Sequence, residues 1–153
     1  SPAKINGENK DLIQKKPPHT TKANRLTFLY IEDNPSNTFL VQEILEGFSE
    51  VELLTTPHPQ TGLDLAQSHQ PDLILLDIHL PDFDGFEAFK RLQNMEETYK
   101  IPVVALSANA MQKNIDRAIN MGFKDYITKP INVKDFTIFI KNFLDSLSDP
   151  SAS

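Results

Sequence analysis

The chain of 153 residues contains no cysteine, so neither a disulfide nor a thiolate metal site is open to it. That absence is compatible with a reducing, cytosolic setting and does not establish one. No apolar run approaches the roughly 20 residues needed to span a bilayer, and no signal-peptide pattern opens the chain. The four histidines form no His-x-x-x-His ligand pair, and no helix-turn-helix segment follows Leu147. Residues 1–24 lack apolar periodicity and carry Pro2, Gly7, Pro17 and Pro18 among Asn and Lys. Too little apolar surface lies there to offset ordering entropy, so the segment reads as a flexible basic linker. Residues 149–153 read as a short disordered tail.

Net charge has opposite sign on the two sides of the boundary. Residues 1–25 hold six Lys/Arg against Glu8 and Asp11, a net of +4. With −6 overall, the remaining 128 residues carry −10. A folded part that acidic is a poor direct binder of nucleic acid, and the basic start reads as a solvated tether.

At 39% hydrophobic and 24% charged residues over its whole length, the chain holds material for one soluble domain, residues 25–148. Strand-like and helix-like segments alternate along it. The run from Leu26 to Ile31 ends at Glu32-Asp33. Asn34-Pro35 then supplies an N-cap and a proline at the first helical position, with Phe39, Leu40, Ile44 and Leu45 at helical spacing. Val51–Thr55 is a second strand. Leu63, Leu65 and Ala66 mark a short helix before Pro71. Leu73–Leu76 is wholly apolar, as suits a central parallel strand buried on both faces. A helix with Phe86, Phe89, Leu92 and Met95 on one side follows Asp84-Gly85. Ile101–Leu106 is the fourth strand, Met111, Ile115, Ala118 and Ile119 mark the fourth helix, and Phe123–Ile127 is the fifth strand. The last helix starts near Val133, with Phe136, Ile140, Phe143 and Leu144 on its apolar side. This (βα)5 pattern predicts a doubly wound α/β fold: a parallel five-stranded sheet of order 2-1-3-4-5 with helices on both faces.

Ionisable groups stand where the apolar runs stop. Glu32-Asp33 closes the first strand, Asp77 the third, and Lys129 lies just past the fifth; the Ser107 hydroxyl follows the fourth. The second strand contributes nothing, as expected of an edge. Parallel sheets of this class bind ligands at the carboxyl ends of their strands. Three carboxylates with one lysine there suggest a divalent metal and a phosphoryl group.

The segments Tyr30-Ile-Glu-Asp-Asn-Pro35, Leu75-Leu-Asp-Ile-His-Leu-Pro81 with Asp84-Gly85, Ala105-Leu-Ser-Ala-Asn109 and Lys129-Pro130 resemble the receiver domain of two-component response regulators. The match runs from about Leu26 to Leu147 and is nearest to receivers attached to hybrid histidine kinases. The resemblance implies that Asp77 is the phosphoacceptor for a phosphohistidine donor. It implies Mg²⁺ bound by Asp33 and Asp77 directly, by Glu32 through water, and by the backbone carbonyl of His79. It implies that Lys129 and Ser107 contact the phosphoryl group, and that Tyr126 rotates inward with Ser107, altering the surface of helix 4, strand 5 and helix 5. Pro130 (through a cis Lys129-Pro130 bond), Pro81 and Gly85 would shape the loops. Implied partners are a histidine kinase domain or a histidine phosphotransfer protein, with no direct nucleic-acid or membrane contact and room for a weak homodimer. The implied location is cytoplasmic, in a parent that can itself be membrane-anchored.

Two other readings compete. A phosphorylation-independent interaction module could use the same fold, although such modules usually lose a key residue and none is lost here. Asp82-Phe-Asp-Gly85 also resembles the nucleophile motif of haloacid-dehalogenase-type phosphatases, but there the first aspartate directly ends an apolar strand, whereas here the strand ends at Asp77. A receiver promotes its own modification without being a turnover enzyme. With about 25 residues before the first strand and no kinase ATP-binding motif, the chain is expected to be a fragment of a longer hybrid sensor kinase.

Overall fold

A computed structural model describes residues 25–148; the linker and tail expected at residues 1–24 and 149–153 lie outside the described residues. In chain order the elements are β1 (Leu26–Ile31), α1 (Pro35–Leu45), β2 (Val51–Thr56), α2 (Pro59–His69), β3 (Leu73–Asp77), α3 (Gly85–Gln93), β4 (Val103–Ser107), α4 (Gln112–Met121), β5 (Asp125–Thr128) and α5 (Val133–Ser148). All strand pairs are parallel and the sheet order is β2-β1-β3-β4-β5. The predicted doubly wound sheet is therefore the observed one.

Two cores flank the sheet, because successive strand side chains point to opposite faces. Phe28, Tyr30, Leu75 and Leu106 pack on one face with Val41 of α1 and Phe136 and Ile140 of α5. Leu29, Ile31, Ile74 and Leu76 pack on the other with Leu63 of α2, Phe89 of α3 and Ala118 of α4. Strands β3 and β4 are buried along their whole length, which explains the unbroken apolar runs that lead to Asp77 and Ser107.

Local chemistry fixes where the elements start. Pro35 opens α1, and the Asn34 side chain accepts from the Ser36 N–H at 2.8 Å. The Asp84 side chain caps α3 by accepting from the Glu87 N–H at 2.9 Å. Gly122 ends α4 at φ +121°, a conformation that favours glycine.

Two strand starts differ from the sequence reading, and strands β2 to β5 each run one residue further than expected. Strand β4 begins at Val103 and not at Ile101: Pro102 lacks an N–H, and register with β3 starts at the Ile74–Val103 pair. Strand β5 begins at Asp125 and not at Phe123, because the Phe123 N–H bonds the Ala118 carbonyl and closes α4. The Phe123 ring stacks on Phe89 with centroids 4.1 Å apart. Helix α4 also differs, since of its four apolar marker positions only Ala118 is buried, and Met111 and Ile119 face solvent. Phe39 of α1, read as part of the apolar face, is 60% exposed. Among the described residues no helix is long and apolar enough to cross a membrane.

Candidate functional site

Parallel pairing carries the ends of β1, β3, β4 and β5 to one edge of the sheet. Ile31 sits beside Leu76, Asp77 beside Leu106, and Ser107 beside Thr128. Three loop hydrogen bonds tie that edge together: Lys129 N–H to the Ser107 carbonyl at 2.9 Å, Ile78 N–H to the Leu106 carbonyl at 2.9 Å, and Gly85 N–H to the Ile78 carbonyl at 2.8 Å. The Lys129–Pro130 bond is cis, as expected.

At this edge carboxylate oxygens of Glu32, Asp33 and Asp77 all lie within 4.8 Å of one another. Glu32 and Asp77 are buried and Asp33 is exposed. The Lys129 ammonium bridges the two buried groups, 3.0 Å from Glu32 Oε1 and 3.2 Å from Asp77 Oδ1. The backbone N–H of His79 donates to Asp77 Oδ1 at 3.1 Å, while the His79 ring is exposed. Glu32 accepts from two further donors, the Tyr30 hydroxyl on Oε1 at 2.7 Å and the Asn34 N–H on Oε2 at 3.1 Å.

Environment sets the two buried acids apart. Burial, then the neighbouring Glu32 charge, push Asp77 up to about 6, with the His79 N–H and Lys129 only partly offsetting them. Burial alone would raise Glu32 too, but hydrogen bonds from Tyr30 and Lys129, the ammonium charge and the Asn34 N–H outweigh it and hold that carboxyl below its ordinary value. Lys129 is likewise subject to burial, which would lower it, yet the Glu32 hydrogen bond and the charges of both acids keep it above its ordinary value. Near neutral pH the site therefore holds two buried carboxylates against one ammonium. That excess of negative charge, offered by hard oxygen donors with one exposed member, suits a divalent cation that keeps some of its water.

Ser107 and Tyr126 meet through Asn109. The buried Ser107 Oγ accepts from the Asn109 N–H at 3.0 Å, and the half-buried Tyr126 hydroxyl donates to the Asn109 carbonyl at 2.6 Å. A cleft of about 240 Å³ lies there, lined by His79, Ser107, Asn109, Asn114, Arg117 and Tyr126 among others. A second cleft, about 460 Å³, runs from Glu32 and Asp33 past Pro35 and Phe39 to Pro57.

All of the predicted site residues reach this edge or its loops. Pro81 is exposed in the loop between β3 and α3, and Gly85 is the buried first residue of α3. Asp82 is exposed, Asp84 serves as a helix cap, and neither belongs to the carboxylate cluster. Two contributors were not foreseen, Tyr30 and Asn109. The spacing of Tyr30 and Glu32 was a usable signal, since residues two apart on a strand share a face.

Residues 28–141 match the model of the response regulator receiver domain family. The chain is 41% identical over 116 residues to the polar-differentiation response regulator DivK of Brucella ovis, covering 76% of this chain and 94% of that protein. Among solved structures it resembles the receiver domain of sensor histidine kinase PA1611 from Pseudomonas aeruginosa, which has a magnesium ion coordinated in its active-site cleft. The TM-score is 0.70 at 25% identity, over 80% of this chain and 99% of that one. A CheY-like receiver domain protein from Methanospirillum hungatei gives a TM-score of 0.70 at 26% identity, over 80% and 95%.

Proposed function

Since the chain belongs to the response regulator receiver domain family of two-component signalling, we propose that Asp77 accepts a phosphoryl group from the phosphohistidine of a histidine kinase or histidine phosphotransfer protein. A carboxylate oxygen of Asp77 attacks phosphorus, the P–N bond to the donor imidazole breaks, and the imidazole leaves with the bonding pair and takes up a proton. The products are an acyl phosphate on Asp77 and a neutral donor histidine. The observation that carries this reading is the Lys129 ammonium set 3.2 Å from Asp77 within a cluster of three carboxylates.

Each group has a task in that transfer. Asp77 must be ionised to attack, and a value of about 6 leaves it mostly ionised at neutral pH. Lys129 neutralises charge arriving on the phosphoryl oxygens, and the Ser107 hydroxyl donates to one of them once it turns from Asn109. Glu32, Asp33, Asp77 and the His79 carbonyl would hold Mg²⁺, which when bound supplies positive charge for the phosphoryl oxygens. The cleft beside Asp33, with Phe39 exposed on its wall, would receive the donor protein. The reading places the domain in the cytoplasm, with its donor.

A phosphoryl group adds about −1.5 to −2 charges and three acceptor oxygens. Drawing Ser107 toward them frees Asn109, and with it Tyr126, so the surface of α4, β5 and α5 changes. Incubation with Mg²⁺ and phosphoramidate tests the reading: intact-protein mass should rise by one phosphate in wild type and not in Asp77→Asn. A wild type that binds Mg²⁺ and stays unmodified would overturn it.

A further inference from the structure

Tyr30 heads the fully buried side chains by size, at 0% exposure. Its ring packs in an apolar core with Phe28, Val41, Leu75, Leu106 and Phe136. Phenylalanine would fill that space without a polar atom, and a hydroxyl in such a core is costly unless it finds a partner. The partner is Glu32 Oε1 at 2.7 Å. The same oxygen also accepts from Lys129 at 3.0 Å, and Lys129 is shared with Asp77 at 3.2 Å.

This double occupancy has a consequence once Asp77 carries a phosphoryl group. The new oxygens compete for the Lys129 ammonium, and Glu32 Oε1 then loses its flexible donor. Of the two donors on that oxygen, the phenol is the one fixed by its surroundings. We propose that Tyr30 is a positioning residue: its buried hydroxyl holds Glu32 Oε1 in place, so that Glu32 keeps its aim at a divalent cation whether or not Lys129 remains beside it. Tyr30 touches neither cation nor phosphoryl group and acts through Glu32 alone. The inference rests on the proposed function, specifically on Glu32, Asp33 and Asp77 holding the cation.

The experiment compares Mn²⁺ binding by wild type, Tyr30→Phe, Glu32→Gln and the double variant, reading free Mn²⁺ by electron paramagnetic resonance. Loss of a group that orients a metal ligand typically weakens binding about 10- to 100-fold. Tyr30→Phe should therefore raise the Mn²⁺ dissociation constant about ten-fold or more, and should have little further effect in the Glu32→Gln background. A purely structural role would lower thermal stability while leaving Mn²⁺ affinity alone, or would weaken binding equally in both backgrounds; either result overturns the inference. A wild type that binds no Mn²⁺ would instead sink the metal reading itself. Should Tyr30→Phe fail to fold, wild type still decides the matter by NMR. The Tyr30 hydroxyl proton should stay protected from exchange when Mg²⁺ and beryllofluoride are added, and loss of that protection would count against Tyr30 as the retained donor.

Discussion

Ser107 and Tyr126 are coupled through a single residue, since Asn109 gives its N–H to the Ser107 hydroxyl and takes the Tyr126 hydroxyl on its carbonyl. A pull on Ser107 therefore reaches Tyr126 by way of one short backbone segment. Beryllofluoride, as a phosphoryl mimic, should shift the Tyr126 ring resonances in wild type and leave them nearly unmoved in Ser107→Ala. The substitution removes one hydrogen bond of ordinary strength, so stability should fall by about 1 kcal/mol. An equal Tyr126 shift in both proteins would show that the coupling runs elsewhere.

Asp77 gives a pH-dependent prediction whose sign follows from its raised value. An acid whose value is higher in the folded state contributes stability below its unfolded value and loses that contribution as pH rises through the folded one. For Asp77 the window runs from its ordinary 3.8 to about 6. In chelator, Asp77→Asn should therefore be more stable than wild type at pH 7.5, by on the order of 3 kcal/mol, and the advantage should shrink as pH falls toward 4. Urea titrations at several pH values read this directly, and a variant less stable than wild type at pH 7.5 would contradict it.

Most of the site was legible because each group closes an apolar run, and a parallel sheet of this order brings those ends together. Glu32, Asp77, Ser107 and Lys129 needed only the strand count and the order of strands to be placed at one edge. Element starts were less legible where a neighbouring interaction claimed a strand-like residue, as α4 claimed Phe123 through the Ala118 carbonyl. Met111, Ile119 and Phe39 show a further limit: helical spacing marks a face as apolar but does not say whether another layer covers it. Asn109 acts through its backbone, which leaves no mark on residue type. Tyr30 carried a mark in its spacing to Glu32, but a tyrosine within a strand reads first as packing.

Phe39 separates the two kinds of donor. It is 60% exposed on α1 and lines the cleft that begins at Glu32 and Asp33, while no part of it enters the carboxylate cluster. Phe39→Ala should slow phosphoryl transfer from a phosphorylated histidine phosphotransfer protein about ten-fold or more, the size expected when an apolar anchor worth roughly 2 kcal/mol is lost from an interface. Phosphoramidate, too small to reach Phe39, should modify the variant at the wild-type rate. Equal slowing with both donors would place the effect in the site and not in docking.

Gly85 and Gly62 offer a paired test of how tightly the loop after β3 is held. A Cβ on Gly85 would lie 2.6 Å from the Asp77 carbonyl oxygen and 2.7 Å from Ile78 Cα, both backbone atoms of the segment that carries Asp77, the proposed phosphoacceptor. A Cβ on Gly62 would run into the end of the Ile31 side chain. A side chain can change rotamer, but a backbone segment pinned by the Gly85 N–H to Ile78 carbonyl bond has to move as a unit. Gly85→Ala should therefore cost about 1–3 kcal/mol by overpacking and also slow phosphorylation by phosphoramidate, because displacement of the Ile78 backbone shifts Asp77. Gly62→Ala should lower stability by no more than that and leave the phosphorylation rate within about two-fold of wild type, since Ile31 lies on the face of the sheet away from Glu32. Melting curves and phosphorylation time courses on the two variants separate the effects. A Gly85→Ala protein that is destabilised yet phosphorylated at the wild-type rate would show that the loop carries Asp77 less rigidly than these contacts require.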